Sequence, residues 1–198
     1  MGTIIALGIQ TICILTAVTL HEFSRALVST LLGDKKPKND GRLTLNPINH
    51  FEPIGFILCL ASGFGWGKPV ETTALFYKNR KRDTLITAVI PSIVNLLMAF
   101  LCGICFSTIK INNDIFWLFI YLMININVSL AVYNLLPISP MDGLKVISAV
   151  LPANKYFQYL QYEKIVQMVF LLALFMGYAD IIFLPIINTV MALCGIGI

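Results

Sequence analysis

The chain has 198 residues, of which 58% are hydrophobic and only 12% charged, against roughly 25% charged in an ordinary soluble domain. With a mean hydropathy of +0.83, this composition excludes a soluble globular enzyme and a disordered chain, and 5 cysteines are too few for a disulfide-rich secreted module. What remains is an all-α, integral multi-pass membrane protein, a single domain over 1–198 with room for a handful of spans at about 20 apolar residues per crossing. The formal charge of +4 does not point to nucleic acid, because nine of the fourteen Lys and Arg fall between Gly33 and Asp83, as in a cytoplasmic loop flanked by spans.

Met1 to Leu20 carries no charge, and apolar character continues to Leu32. Without a basic n-region or a small-residue cleavage pattern, this stretch reads as a first span over 4–32, ended by Gly33, rather than a leader. Asp40 to Pro47 alternates between turn residues and predicts a short strand or hairpin at the cytoplasmic face. The run 53–66 holds Gly55, Gly63 and Gly65 and is too short to cross, so it is expected to be re-entrant or buried against other helices. Uncharged runs then predict spans over 84–109 and 115–137, and a fourth over 165–179. A tail, 181–198, either spans or lies at the interface.

Basic residues on the inner side place the 33–83 region in the cytoplasm and the Lys110 to Asp114 turn outside, in what is expected to be the cell membrane. Cys102 and Cys105 have CxxC spacing, but one pair inside an apolar run reads as helix packing. No internal repeat is evident.

A charged group in hydrocarbon costs several kcal/mol unless paired or hydrated, so ionisable residues inside a span are candidates for function. His21, Glu22 and Arg25 cluster on the first span, His21 and Arg25 four residues apart on one face. Asp142 follows Asn134-Leu-Leu-Pro-Ile-Ser-Pro-Met, where Pro137 and Pro140 prevent a straight helix. Asp142 has two readings, a site residue or the N-cap of a helix beginning at Gly143.

The motifs His21-Glu22-Phe-Ser-Arg25, Gly41-Arg-Leu-Thr-Leu-Asn-Pro47, Gly63-Phe-Gly-Trp-Gly-Lys-Pro69 and Asn134 to Gly143 resemble, in order and spacing, the site-2 protease family of intramembrane zinc metallopeptidases. The resemblance is to short members without PDZ or CBS domains. It implies a three-helix core in which two histidines of an HExxH motif and the aspartate of an NxxPxxxxDG motif hold zinc, with the glutamate acting on the bound water. Carried over by position, His21 and Asp142 are metal ligands and Glu22 the general base, supported by Asn134, Pro137 and Gly143.

The sequence departs from that pattern at Arg25, which stands where the second histidine would be. A guanidinium stays protonated and has no lone pair for a metal. Ile90 to Asn95 departs again from the family's usual Ala-Gly-Pro stretch, a difference read here as one of helix packing. His50 sits in Asn46-Pro-Ile-Asn-His50 and is expected to serve the loop rather than replace the ligand. Three functions follow: a zinc endopeptidase impaired by ligand loss, a pseudoprotease that binds transmembrane segments of other proteins or regulates an active relative, and, last, a small transporter argued from Asn125, Asn127 and Asn134.

Overall fold

The computed structural model describes residues 2–62, 65–109 and 111–194, and among these the protein is helical with no strand. Among the described residues, three helices are long and apolar enough to cross a membrane: α1 (Gly2–Leu31), α4 (Arg80–Thr108) and α5 (Asp114–Asn134). They pack against one another as the three-helix core. Cys13, Ile14 and Ala17 of α1 bury against Met123, Ile126 and Leu130 of α5. Large apolar side chains on the outer faces, such as Leu97 and Phe100, stay exposed, as lipid-facing positions do.

The ends of the spans follow from local chemistry. Gly33 adopts φ 112°, which lets its N–H donate to Thr30 and the Asp34 N–H to Ser29, both at 3.1 Å. This pairing is a Schellman motif, which closes a helix through a left-handed glycine. At the other boundary, the Asn79 side chain accepts from the Arg82 N–H while Asp83 accepts from the Asn79 N–H, so α4 is capped in both directions. Asn113 caps α5 by accepting from the Phe116 N–H.

The strand or hairpin expected over 40–47 does not form. The chain makes α2 (Lys36–Asn39), turns at Gly41 and enters a 3-10 turn over Pro47–His50. The cause is local side-chain competition: Asn46 Oδ1 accepts from the Ile48 N–H and Thr44 Oγ1 from the Asn46 N–H, so donors that a ladder would need are satisfied within the loop.

The 53–66 segment is short and folded back, with α3 (Pro53–Ser62) followed by irregular chain from Gly65. A Cβ on Gly55 would lie 2.1 Å from the Trp66 carbonyl oxygen and one on Gly65 2.2 Å from that of Gly55. Glycine is therefore what permits this close return. Gly63 and Phe64 of the third motif lie outside the described residues.

Beyond α5 come α6 (Gly143–Val150), α7 (Ala153–Phe175) and α8 (Tyr178–Leu193). The run 165–179 is mostly the second half of α7, whose first half carries Lys155, Glu163 and Lys164. The tail expected over 181–198 belongs to α8, which packs on α5 through Ile187 and Met191; residues 195–198 lie outside the described residues.

Candidate metal centre

On α1, His21, Glu22 and Arg25 all point into the bundle and are buried. Asp142 reaches them because α5 stops at Asn134 and the chain turns sharply through Leu136, Ile138 and Met141. A Cβ on Gly143 would lie 2.2 Å and 2.3 Å from the carbonyl oxygens of Leu135 and Leu136. Only glycine allows α6 to start this close to the end of α5, and that start aims Asp142 at α1.

Asp142 does occupy the N-cap position of α6, but its side chain makes no capping bond. The carboxylate turns to α1 instead. Asp142 Oδ2 lies 3.0 Å from His21 Nε2 and forms an ion pair with Arg25 Nη2. Lys145 Nζ stands 3.8 Å from Asp142 Oδ1, too far for a hydrogen bond, and that oxygen has no hydrogen-bond partner among the described residues.

Arg25 ties the cluster together. Its Nη1 donates to Glu22 Oε2 at 2.9 Å, and its Nη2 lies 3.0 Å from His21 Nε2 in addition to the Asp142 pair. Glu22 Oε2 also accepts from the Val70 N–H at 2.8 Å, which fastens the chain beyond Gly67 to the site.

The orientation of His21 is set from behind. Asn95 Nδ2 donates to Asn127 Oδ1 at 2.8 Å and to the Ala17 carbonyl at 3.2 Å, so Asn95 Oδ1 is the acceptor facing His21 Nδ1 at 2.6 Å. This network assigns a proton to Nδ1. His21 Nε2 then faces both Arg25 Nη2 and Asp142 Oδ2, each at 3.0 Å.

His21 Nε2 and Asp142 Oδ2 are the two atoms the family resemblance would give to zinc, so the residues present do not fit the metal. Catalytic zinc sites use three protein ligands and keep one open position. Here two donors are available, both engaged by a nitrogen carrying permanent positive charge. His50 does not supply a third: it is buried in its turn with Nε2 donating to the Thr44 carbonyl at 2.8 Å, and burial lowers its pKa from the usual value. Among the described residues, no group of three or more His, Cys, Asp or Glu is placed to hold a metal ion.

Asn134 and Pro137 act on the backbone rather than at the cluster. Asn134 Nδ2 donates to the Leu130 carbonyl at 2.9 Å, and the Pro137 carbonyl accepts from the Tyr159 hydroxyl. All five cysteines are free, with Cys102 and Cys105 packed against the α4–α5 core. Sequence reasoning missed Asn95 as the partner of His21 and gave Asn127 only a transporter role. The usable signal was an asparagine in the middle of each of two uncharged spans, which needs a buried partner.

Comparison with known proteins agrees with this architecture. The chain matches peptidase family M50 over residues 1–177. It is 30% identical over 186 residues to a Bacillus subtilis (strain 168) protein named "Putative zinc metalloprotease YwhC", covering 89% of this chain and 84% of that one. It is 25% identical over 134 residues to "Putative zinc metalloprotease Rip2" of Mycolicibacterium smegmatis (strain ATCC 700084 / mc(2)155), covering 65% of this chain and 52% of that one. No solved structure matches significantly. With four collinear motifs set on a three-helix core and a family match over most of its length, the chain belongs to peptidase family M50, the site-2 protease family.

Proposed function

We propose that this protein is a site-2 protease family member whose proteolytic chemistry is impaired by loss of one zinc ligand, and that it works by engaging transmembrane segments of other proteins in the bilayer. The observation that carries the reading is the position of Arg25 Nη2, bonded to both His21 Nε2 and Asp142 Oδ2. A divalent cation at that point would face a fixed positive charge and would have to displace a buried ion pair. The names of the two relatives favour the opposite reading, a zinc-dependent endopeptidase. Glu22 bears on the choice as well, since its Oε2 is bound to Arg25 and to the Val70 N–H rather than held free as a general base.

On this reading the protein sits in the cell membrane with its basic 33–83 region in the cytoplasm. The test is the zinc content of the full chain purified in lipid, together with cleavage of a model transmembrane substrate by wild type and Glu22→Gln. The expected result is no retained zinc and no difference in cleavage between the two. About one zinc per chain with cleavage abolished by Glu22→Gln overturns the reading in favour of the enzyme.

A further inference from the structure

The end of the bundle where α1 stops and α4 begins carries a second built feature, separate from the His21 cluster. A hollow of about 420 Å³ is lined there by Gly33, Lys35, Lys36, Asn39, Asp40 and Phe76. Its floor is rigid. A Cβ on Gly33 would come within 2.9 Å of the Phe76 carbonyl oxygen, so the 74–76 turn rests directly on the end of the span. The Tyr77 hydroxyl bonds Ser29 of α1 at 2.8 Å and Thr87 of α4 at 3.2 Å, joining the two spans beneath the turn. Asp34, fully buried, accepts from Ser29 Oγ and from the backbone N–H groups of Lys36 and Thr73.

The outward chemistry of this end is amphipathic. Leu75 and Phe76 are 68% and 61% exposed, although they sit beside two span ends where hydrocarbon gives way to headgroups. Around them Lys35, Lys38, Lys78, Arg80 and Lys81 are exposed. Among the described residues, the ion pairs in this region are Lys36 with Glu71 and Arg82 with Asp83, so none of those five cations lies within ion-pair distance of a carboxylate. Asp40 is the one acid in the lining, against Lys35 and Lys36.

We propose that this hollow is a binding site for an anionic phospholipid. Lys35, in the lining, takes the phosphodiester charge, and Lys38 and Lys78, each close in sequence to a lining residue, add headgroup attraction, while the acyl chains run over Phe76 and Leu75 along the exposed outer face of α1. The site has what a lipid needs and a soluble anion does not: an apolar wall continuous with a span, next to cations at headgroup level. Lysines near such a surface each contribute about fivefold in affinity for anionic lipid, which follows from ~1 kcal/mol per basic residue.

The test uses the full chain in nanodiscs of phosphatidylcholine with and without phosphatidylglycerol. Native mass spectrometry reads retained lipid, and thermal unfolding gives a second, independent measure. Wild type is expected to retain phosphatidylglycerol over phosphatidylcholine and to unfold at a higher temperature when it is present. Lys35→Gln with Lys38→Gln is expected to lower that preference by more than tenfold and remove the thermal shift. A control with Lys155→Gln and Lys164→Gln, an equal charge loss on α7, is expected to leave both unchanged. Inorganic phosphate is expected to compete poorly. Equal retention of the two lipids by wild type overturns the proposal. So does an equal effect of the α7 control, which would assign the preference to overall charge, or displacement of the lipid by phosphate alone.

Discussion

Arg25 and Asp142, 117 residues apart in sequence, meet as an ion pair inside the bundle with both side chains withdrawn from solvent. The pair closes the segment after α5 onto α1, which is the connection a shared metal would otherwise make. Removing one partner of such a pair leaves the other charge buried and uncompensated, at a typical cost of about 3–5 kcal/mol. Arg25→Ala strands two carboxylates, Glu22 and Asp142, and is expected to destabilise the protein by at least that amount in denaturant unfolding from mild detergent. Adding Asp142→Asn to Arg25→Ala is expected to recover part of the loss, because the stranded charge is gone. Strict additivity of the two substitutions would show that the ion pair is not what joins the segments.

Asn95 is expected to behave as a positioning residue for His21. Asn95→Leu leaves the His21 Nδ1–H and Asn127 Oδ1 buried without partners, at about 1–3 kcal/mol for each unsatisfied group. The informative readout is the nitrogen-15 spectrum of His21, in which wild type should show the proton on Nδ1. Asn95→Leu should lose that tautomer preference. An unchanged imidazole signal in the variant would mean that Arg25 and Asp142 orient the ring on their own.

The three long apolar helices and the cluster were legible in the sequence because hydrocarbon imposes a strict rule: charges are absent from a span unless they are partnered. The same rule exposed His21, Glu22 and Arg25 on one helix and made Asp142 their natural counterpart. Asn95 and Asn127 escaped because an uncharged polar residue breaks no charge-free run, although it needs a hydrogen-bond partner just as surely. The 40–47 segment was misread for a different reason. Alternation records which side chains are apolar, whereas the loop is decided by Asn46 and Thr44 bonding their own backbone. The length of α7 was hidden by its polar first half, which hydropathy reads as a loop.

The expected membrane orientation rests on where the cations lie. The 33–83 region carries nine of the fourteen Lys and Arg, while the opposite turn, 110–114, has one basic and one acidic residue, Lys110 and Asp114. Single cysteines replacing Lys38, Arg80 or Asn112 are therefore expected to differ in labelling by an impermeant maleimide added to intact cells. Position 112 should react and positions 38 and 80 should react only after lysis. Labelling of 38 or 80 in intact cells, with 112 protected, would invert the orientation and place the lipid site in the other leaflet.

On the proposed reading, Arg25→His removes the residue that keeps a metal out. It puts two imidazoles at i and i+4 on one face of α1, both able to reach a point that Asp142 Oδ2 already approaches, 3.0 Å from His21 Nε2. It also removes the permanent positive charge, and Glu22 keeps its bond from the Val70 N–H. The donor set becomes two histidines and an aspartate, the three-ligand count of catalytic zinc sites. Purified Arg25→His is expected to retain about one zinc per chain and to lose thermal stability on chelation, whereas wild type should do neither. Arg25→Gln is the control, because it discards the same charge without adding a ligand. If Arg25→Gln retains as much zinc as Arg25→His, the charge alone was the barrier and His21 with Asp142 suffices as a site. If Arg25→His retains none, the segment after α5 cannot close on a metal, and the ion pair has fixed a geometry that the ancestral ligands no longer reach.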